Sequence, residues 1–194
     1  SVADCLKKEL SIPAYQRPYK WAIQNIDEML QDIYSAIQQQ KIYSEFRYRL
    51  GTIILHKDDL DSSCSEPKYN IVDGQQRLIT LSLINRYLDK DYQNNILATS
   101  FSDPTSQANI YHNFQHISEW FSLRKNTPII DEFKQAMATI LEVVVIYVKK
   151  ESEAFQLFDS QNARGKALDP HDLLKAYHLR EMHNDRYEME YAVN

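Results

Sequence analysis

The stretch IVDGQQRLITL, residues 71–81, places the end of a strand, a glycine turn and the start of a helix side by side. Ile71 and Val72 are β-branched residues of the kind that favours strands. Gly74 suits the turn, and apolar residues then recur at helical spacing over about residues 75–89. Because the first turn of a helix presents free N–H groups and a positive dipole, this stretch predicts a binding site for phosphate or carboxylate.

Four polar side chains at this turn suit phosphate chemistry. Arg77 offers parallel N–H donors to phosphate oxygens. Asp73 is a candidate Mg²⁺ ligand or base, and Gln75 or Gln76 is a candidate for orienting a water molecule. The residue types fit an alternative equally well, in which Asp73 only caps the helix and Arg77 is a surface residue.

Outward from this turn, strands alternate with helices. Apolar, β-branched runs predict strands over residues 48–56, 69–72 and 141–148. Helical spacing of apolar residues predicts helices over about residues 2–10, 23–39, 107–123, 128–140 and 152–161, and from Pro170, with Asp169 as N-cap. Polar segments at residues 56–68 and 91–106 predict a loop and a turn-rich boundary. The fold class expected is α/β (α+β), a small mixed sheet with flanking helices and a largely helical second half.

Composition limits the possible functions. The 22 basic and 27 acidic residues give a net charge of −5, which counts against a domain that coats nucleic acid non-specifically. Two distant cysteines, Cys5 and Cys64, suit a reducing compartment, so we expect a cytoplasmic protein. No apolar run has the length of a membrane span.

Glycine is unusually rare, and its positions are therefore informative. The chain has 3 glycines, whereas average usage of about 7% predicts roughly 14. They are Gly51, Gly74 and Gly165, each beside a strand or a helix start. So few glycines should be kept where the backbone needs a positive φ or a close approach, which favours a functional site.

The segment PAYQRPYKW, residues 13–21, is a second candidate surface. Gln16 and Arg17 lie among aromatic residues in a segment that two prolines make rigid. Aromatic rings beside a guanidinium suit a base or a phosphate. The alternative, favoured for Tyr15 and Trp21, is that the aromatic side chains cover the core.

The segment SQNARGKALDP, residues 160–170, is a third candidate. Asn162, Arg164 and Lys166 surround Gly165 just before a predicted helix, an arrangement that suits an anion. It is not a Walker A loop, because Ser160 occupies the position of the required glycine. A solvated loop between helices explains the same residues.

Other polar patterns predict no chemistry. His112 and His116 have helical i, i+4 spacing without the glutamate of a zinc-protease motif, so a surface pair is expected. The sequence shows no Ser–His–Asp, Cys–His or Cys-x-x-Cys arrangement.

The motifs together resemble one family. IPAYQRPYKW (12–21), LGTIIL (50–55), IVDGQQRLITL (71–81) and FDSQNARGKALDPHDLLKAY (158–177) have the order and spacing of the GmrSD-type restriction-system N-terminal domain. That bacterial domain has a ParB/sulfiredoxin-like core. The resemblance implies such a core with the QRPY and DGQQR motifs in residues 1–90, a helical insertion in 91–140, and a strand plus helices in 141–194 that carry the N-x-RGK motif and complete the same domain.

The resemblance also implies a function. Members of the family act in defence against foreign DNA, including phage DNA, and the DGQQR domain is linked with binding and hydrolysis of a nucleoside triphosphate with Mg²⁺. This activity controls a nuclease located elsewhere, commonly in a C-terminal HNH domain, so contact with DNA is expected through a larger assembly. The site residues implied are Asp73, Gly74, Gln75, Gln76 and Arg77 at the centre, Gln16 and Arg17 beside them, and Asn162, Arg164, Gly165 and Lys166 on the C-terminal side.

Two alternatives remain open from the sequence. In one, the site binds a nucleotide or DNA phosphate as a sensor without hydrolysis. In the other, the domain binds the DNA backbone as ParB does, and the acidic net charge counts against this.

Overall fold

The computed structural model describes residues 1–14, 16–57, 67–149 and 153. The chain divides into two units, and every described residue belongs to the first, Ser1–Ala154. Its elements are α1 (Val2–Leu6), β1 (Glu9–Ser11), α2 (Ile23–Ile42), β2 (Tyr48–Lys57), β3 (Lys68–Asp73), α3 (Gln75–Leu88), α4 (Asn95–Ala98), α5 (Pro104–Ser122), α6 (Ile129–Thr139) and β4 (Leu141–Val148). Apart from Glu153, the helices predicted over 152–161 and from Pro170 lie outside the described residues.

The strands of the first unit form one mixed sheet in the order β1-β3-β2-β4. β1 pairs parallel with β3, β3 pairs antiparallel with β2, and β2 pairs parallel with β4. Three consecutive residues of β2, Ile53, Ile54 and Leu55, are fully buried, as expected for an interior strand covered on both faces. The mixed sheet with flanking helices confirms the predicted α+β class.

Two irregularities in strand pairing lie close together on β2. Against β4, Arg49 pairs with Glu142 and Thr52 pairs with Val144, so two residues of β2 face Val143 alone. Against β3, the register shifts between Ile54 and Leu55. Such bulges bend a strand and re-aim side chains, and they occur often beside functional sites. Both lie where β2 passes the turn between β3 and α3.

Helix α3 lies in the interior of the unit. Its residues are buried on almost every side, and it contacts α4, α5 and α6. The apolar stripe predicted for it, Leu78, Leu81, Ile84 and Leu88, is buried as expected. The start of α3 is therefore held in place by tertiary packing on most of the helix surface.

Two short elements differ from the sequence-based expectation. The helix predicted over about residues 2–10 ends at Leu6, and β1 follows at Glu9–Ser11, because three residues are too few to show the two-residue alternation that predicts a strand. The segment 91–106, predicted as a turn-rich boundary, contains α4 and the first turn of α5. Its polar residues are helix caps: the Asn94 side chain accepts a hydrogen bond from the Leu97 N–H, and Asp103 accepts one from the Ser106 N–H.

The predicted division of the chain into a core, an insertion and a C-terminal part stays a prediction. Strand β4, which opens the predicted third part, pairs with β2 in the first unit. Among the described helices, none combines the length and the hydropathy that a bilayer crossing needs. Cys5 is a free, buried thiol, and burial raises its pKa, whereas Cys64 lies outside the described residues.

Candidate functional site

Gly74 forms the turn between β3 and α3 and occupies the N-cap position of the helix. Its φ of +91° lies in the left-handed region, which side chains rarely adopt. A Cβ atom on Gly74 would lie 2.9 Å from Cγ1 of Ile53, which is closer than real Cβ contacts. The turn therefore requires glycine both for its backbone angle and for its close approach to β2.

The N-terminus of α3 has the features expected of an anion site. No side chain forms a cap hydrogen bond there, and the first helical backbone bond runs from the Leu78 N–H to the Gly74 carbonyl. The N–H groups before Leu78 have no partner within the helix, since the first turn of any helix lacks them. The N-cap is Gly74, so the alternative in which Asp73 caps α3 does not hold.

Arg77 lies against strand β2 in the first turn of α3. Its Nη1 donates a hydrogen bond to the Thr52 carbonyl at 2.9 Å. Among the described residues, this carbonyl is the one hydrogen-bond acceptor of the guanidinium. Burial lowers the pKa of Arg77, and the nearby Asp73 charge acts in the opposite direction. Arg77 is thus a half-buried cation with unused donors, not a surface residue.

Asp73 ends β3 and is half-buried next to this arginine. It pairs with Ile54 of β2, at the second irregularity of the sheet. In the described part of the chain, no group of three or more His, Cys, Asp or Glu residues could hold a metal ion. Asp73 is therefore a single carboxylate beside the helix terminus.

Gln76 holds the segment at residues 18–21 against α3. Its Oε1 accepts hydrogen bonds from the Lys20 N–H at 2.8 Å and the Trp21 N–H at 3.1 Å. Its Nε2 donates to the Pro18 carbonyl at 3.1 Å. With 7% of its surface exposed, Gln76 has both ends of its amide bound to backbone. This geometry favours a structural role over the water-orienting role considered for it.

Gln75 differs from its neighbour in this respect. It is only 5% exposed, and its Oε1 atom is buried without a hydrogen-bond partner among the described residues. A buried carbonyl left unpaired costs about 1–3 kcal/mol. Of the two glutamines, Gln75 is thus the one with an unpaired acceptor.

Gln16 attaches the QRPY segment to the end of β3. Its Nε2 donates to the carbonyls of Ile71 and Val72 at 3.0 and 2.8 Å. These carbonyls follow directly after the last β1–β3 pair, Ser11 with Asn70, so the Gln16 amide continues the hydrogen bonding of the ladder. Arg17 follows Gln16 and is exposed.

The aromatic residues of this segment belong mainly to the core. Tyr19 is fully buried, its OH lies 2.7 Å from Thr80 Oγ1, and it accepts a hydrogen bond from Asn113 Nδ2 at 3.0 Å. The role in binding a base or a phosphate that was predicted for the aromatic rings of this segment is therefore wrong for Tyr19, because its ring has no free face. Trp21 is half-buried and packs on the core, as the alternative predicted, and Tyr15 lies outside the described residues.

The third motif has no described geometry. Asn162, Arg164, Gly165 and Lys166 lie outside the described residues, so their place in the site stays a prediction. The predicted surface histidines are on α5: His112 is exposed, and His116 Nε2 lies 2.6 Å from Asp27 Oδ1. They take no part in the site.

Two residues of the site were not assigned a role from the sequence. Gly51 and Thr52 both lie on β2 and contact Arg77. The guanidinium lies against the Cα of Gly51, which carries no side chain, and it donates a hydrogen bond to the carbonyl of Thr52. The available signal was the glycine itself, since a strand interior rarely contains glycine without a bulge or a close approach.

The fold and the site define a mixed α+β domain with a candidate anion-binding helix start. A family model described as "GmrSD restriction endonuclease, N-terminal domain" matches residues 2–179. The chain therefore belongs to the GmrSD N-terminal domain family, and the resemblance found in the motifs is confirmed. A search of curated proteins finds none that matches this chain.

Proposed function

We propose that this domain binds a nucleoside triphosphate at the N-terminus of α3 and hydrolyses it, and that this activity controls a nuclease located elsewhere in a bacterial restriction system. The observation that carries the proposal is Arg77, a half-buried cation fixed to the Thr52 carbonyl in the first turn of a helix without a side-chain cap. A helix dipole, free N–H groups and a guanidinium together are the usual elements of a phosphate site.

The surrounding charges support a phosphate ligand over a neutral one. Arg77 supplies a half-buried positive charge, and Arg17 is an exposed cation on a segment that Gln16 and Gln76 tie to β3 and α3. Anchored backbone on both sides of Arg17 limits where its guanidinium can reach. Arg77 would hold the phosphates nearest the helix, and Arg17 would contact the phosphates that project outward.

Hydrolysis requires a group that orients the attacking water. Gln75 fits this role better than Gln76, because the Gln75 Oε1 atom has no hydrogen-bond partner among the described residues and the Gln76 amide is bound to backbone. Asp73, at the end of β3, would accept a proton from water or contact a metal ion.

The donor set fits Mg²⁺ that arrives with the triphosphate. This ion is commonly held by one or two carboxylates together with phosphate oxygens and water, and Asp73 supplies one carboxylate. When bound, Mg²⁺ would neutralise charge on the phosphates. A preassembled site made only of protein ligands is not required.

Membership of a restriction endonuclease family supports the wider role. We propose that the phosphates bound at this site are those of a small ligand. DNA would be contacted by a larger assembly or by a separate nuclease domain. The net charge of −5 also favours a localised anion site over an extended DNA surface.

A non-hydrolysing sensor is the second candidate function. The observation that favours it is the burial of both glutamines of the DGQQR motif: the Gln76 amide is bound to backbone, and the Gln75 Oε1 atom is buried. In this version the same site binds the nucleotide, and binding alone changes the state of the nuclease.

The test is phosphate release from ATP, GTP, CTP and UTP with Mg²⁺, measured for the 194-residue chain and its Arg77→Ala and Asp73→Ala variants. The matched control is Arg86→Ala, an exposed arginine in the last turn of the same helix. Release that is lost in the two site variants and kept in Arg86→Ala supports the enzyme. Thermal stabilisation by a nucleotide without release supports the sensor. If no nucleotide gives either phosphate release or thermal stabilisation, both candidate functions are contradicted.

A further inference from the structure

Gly51 is a glycine inside strand β2, at the point where β2 and β4 lose register. Its φ is +117°, and it is one of the two residues of β2 that face Val143 alone. Side chains rarely adopt this backbone angle, so the bulge depends on glycine. Gly51 has no side chain to bind a ligand, but its open Cα leaves room for a neighbouring side chain.

That neighbour is Arg77. A Cβ atom built on Gly51 would lie 3.0 Å from Nη2, 3.1 Å from Cζ and 3.2 Å from Nη1 of Arg77. Because the three distances are nearly equal, the Cβ would sit over the flat face of the guanidinium. If the Cβ instead approached the edge of the guanidinium, its distance to Cζ would be clearly longer than its distances to the two nitrogens. The guanidinium therefore lies face-on against the open Cα of Gly51.

A second contact fixes the group within its plane. Nη1 donates to the carbonyl of Thr52, the residue directly after Gly51. A planar group that is supported on one face and hydrogen-bonded at one corner has a defined orientation. Its other N–H donors then point in fixed directions, and a fork of such donors recognises phosphate only when its plane is correctly oriented.

We propose that Gly51 is a positioning residue that orients the Arg77 guanidinium for phosphate binding. This inference rests on the proposed function, because it assigns Gly51 a task in that same site. Any side chain at position 51 pushes the guanidinium plane away from β2 and turns its free donors, while the positive charge of Arg77 stays in place.

The experiment is a double-mutant cycle in the full chain with Gly51→Ala, Arg77→Ala and the double variant. The affinity for ATP, GTP, CTP and UTP with Mg²⁺ is measured by calorimetric titration. We expect Gly51→Ala and Arg77→Ala each to weaken binding by roughly ten- to a hundred-fold, since each removes the same charge-assisted hydrogen bonds. The double variant should bind no more weakly than Arg77→Ala, because Gly51 has nothing left to orient. If the fold-losses of affinity of the two single variants multiply in the double variant, the inference is overturned.

A second readout needs no nucleotide, and it separates this inference from the proposed function. Melting temperatures of the four unliganded proteins report the contact between position 51 and Arg77. The strain of alanine at a φ of +117° is the same in both backgrounds. The crowding against the guanidinium exists only when Arg77 is present. Gly51→Ala should therefore lower the melting temperature less in the Arg77→Ala background. Equal losses in both backgrounds contradict the contact, whether or not any nucleotide binds.

Arg77→Lys keeps the proposal testable if Gly51→Ala does not fold. Lysine retains the charge but has neither the flat face nor the fork of donors. If orientation of the plane is what matters, Arg77→Lys should lose nearly as much affinity as Arg77→Ala. Affinity close to that of the unmodified chain would show that charge alone suffices, and would overturn the inference.

Discussion

Gln76 Nε2 donates a hydrogen bond to the carbonyl of Pro18, 58 residues earlier in the chain, at 3.1 Å. This bond, with the two that Gln76 Oε1 accepts from the Lys20 and Trp21 N–H groups, joins the QRPY segment to the first turn of α3. Gln16 makes the reciprocal connection to the end of β3. The two motifs thus form one structural unit around the Gly74 turn, and each holds the backbone of the other.

The first prediction concerns this connection. Gln76→Met keeps the size of the side chain and removes all three hydrogen bonds, which leaves backbone groups of Pro18, Lys20 and Trp21 without partners. We expect the free energy of unfolding to fall by roughly 2–4 kcal/mol, measured by urea denaturation. An unchanged unfolding midpoint would show that these bonds are replaced by water at no cost.

The second prediction is the opposite outcome for the adjacent residue. Gln75→Met removes a buried Oε1 atom that has no partner among the described residues. We expect the free energy of unfolding to stay constant or to rise by up to about 1 kcal/mol, because no hydrogen bond is lost. Under the proposed function, nucleotide hydrolysis should fall sharply while nucleotide affinity is kept. A loss of stability as large as that of Gln76→Met would refute this distinction between the two glutamines.

The sequence was sufficient to predict the regular elements that carry strong periodicity. Strand β4 and helix α3 agree closely with their predicted bounds, because a continuous β-branched run marks β4 and apolar residues at helical spacing mark α3. The strand–turn–helix arrangement around Gly74 was predictable for the same reason, since each part has its own local signal.

The site could be predicted only in part, because its geometry depends on contacts between distant segments. The sequence treats Gln75 and Gln76 as equivalent, and only the packing of residues 18–21 on α3 distinguishes them. Similarly, the rarity of glycine marked Gly51 as special. Its partner Arg77, however, is known only once β2 and α3 are placed side by side.

The third prediction separates the two constraints on Gly74. Gly74→Ala introduces both a strained φ of +91° and a Cβ that would be 2.9 Å from Ile53 Cγ1. Gly74→Asn introduces the same Cβ, but asparagine tolerates left-handed backbone better. If the close approach dominates, both variants should lower the free energy of unfolding by roughly 1–3 kcal/mol. A clear advantage of asparagine over alanine in thermal unfolding would show that the backbone angle carries much of the cost.

The fourth prediction uses the buried tyrosine of the QRPY segment. Burial raises the pKa of Tyr19 above its ordinary value of 10.0, against the effect of its hydrogen bonds with Thr80 and Asn113. The unfolded chain therefore loses this proton at lower pH than the folded chain, and stability must decrease as pH rises through and above about 10. Tyr19→Phe should make that decrease shallower between about pH 9 and pH 11. At neutral pH it should cost about 1 kcal/mol for the lost hydrogen bonds. Denaturation midpoints of both proteins across this range are the measurement, and parallel curves would contradict the prediction.

The fifth prediction concerns Arg17, the exposed cation of the same segment. Because an exposed side chain without packing contributes little to folding, Arg17→Ala should change the free energy of unfolding by less than about 0.5 kcal/mol. Under the proposed function it should still weaken nucleotide binding several-fold. That loss should shrink as salt is raised, because interactions of exposed charges are screened. Titrations at low and high ionic strength, with Arg86→Ala as control, test both statements. Equal affinity of Arg17→Ala and the unmodified chain at low salt would remove Arg17 from the site and leave Arg77 as its main cation.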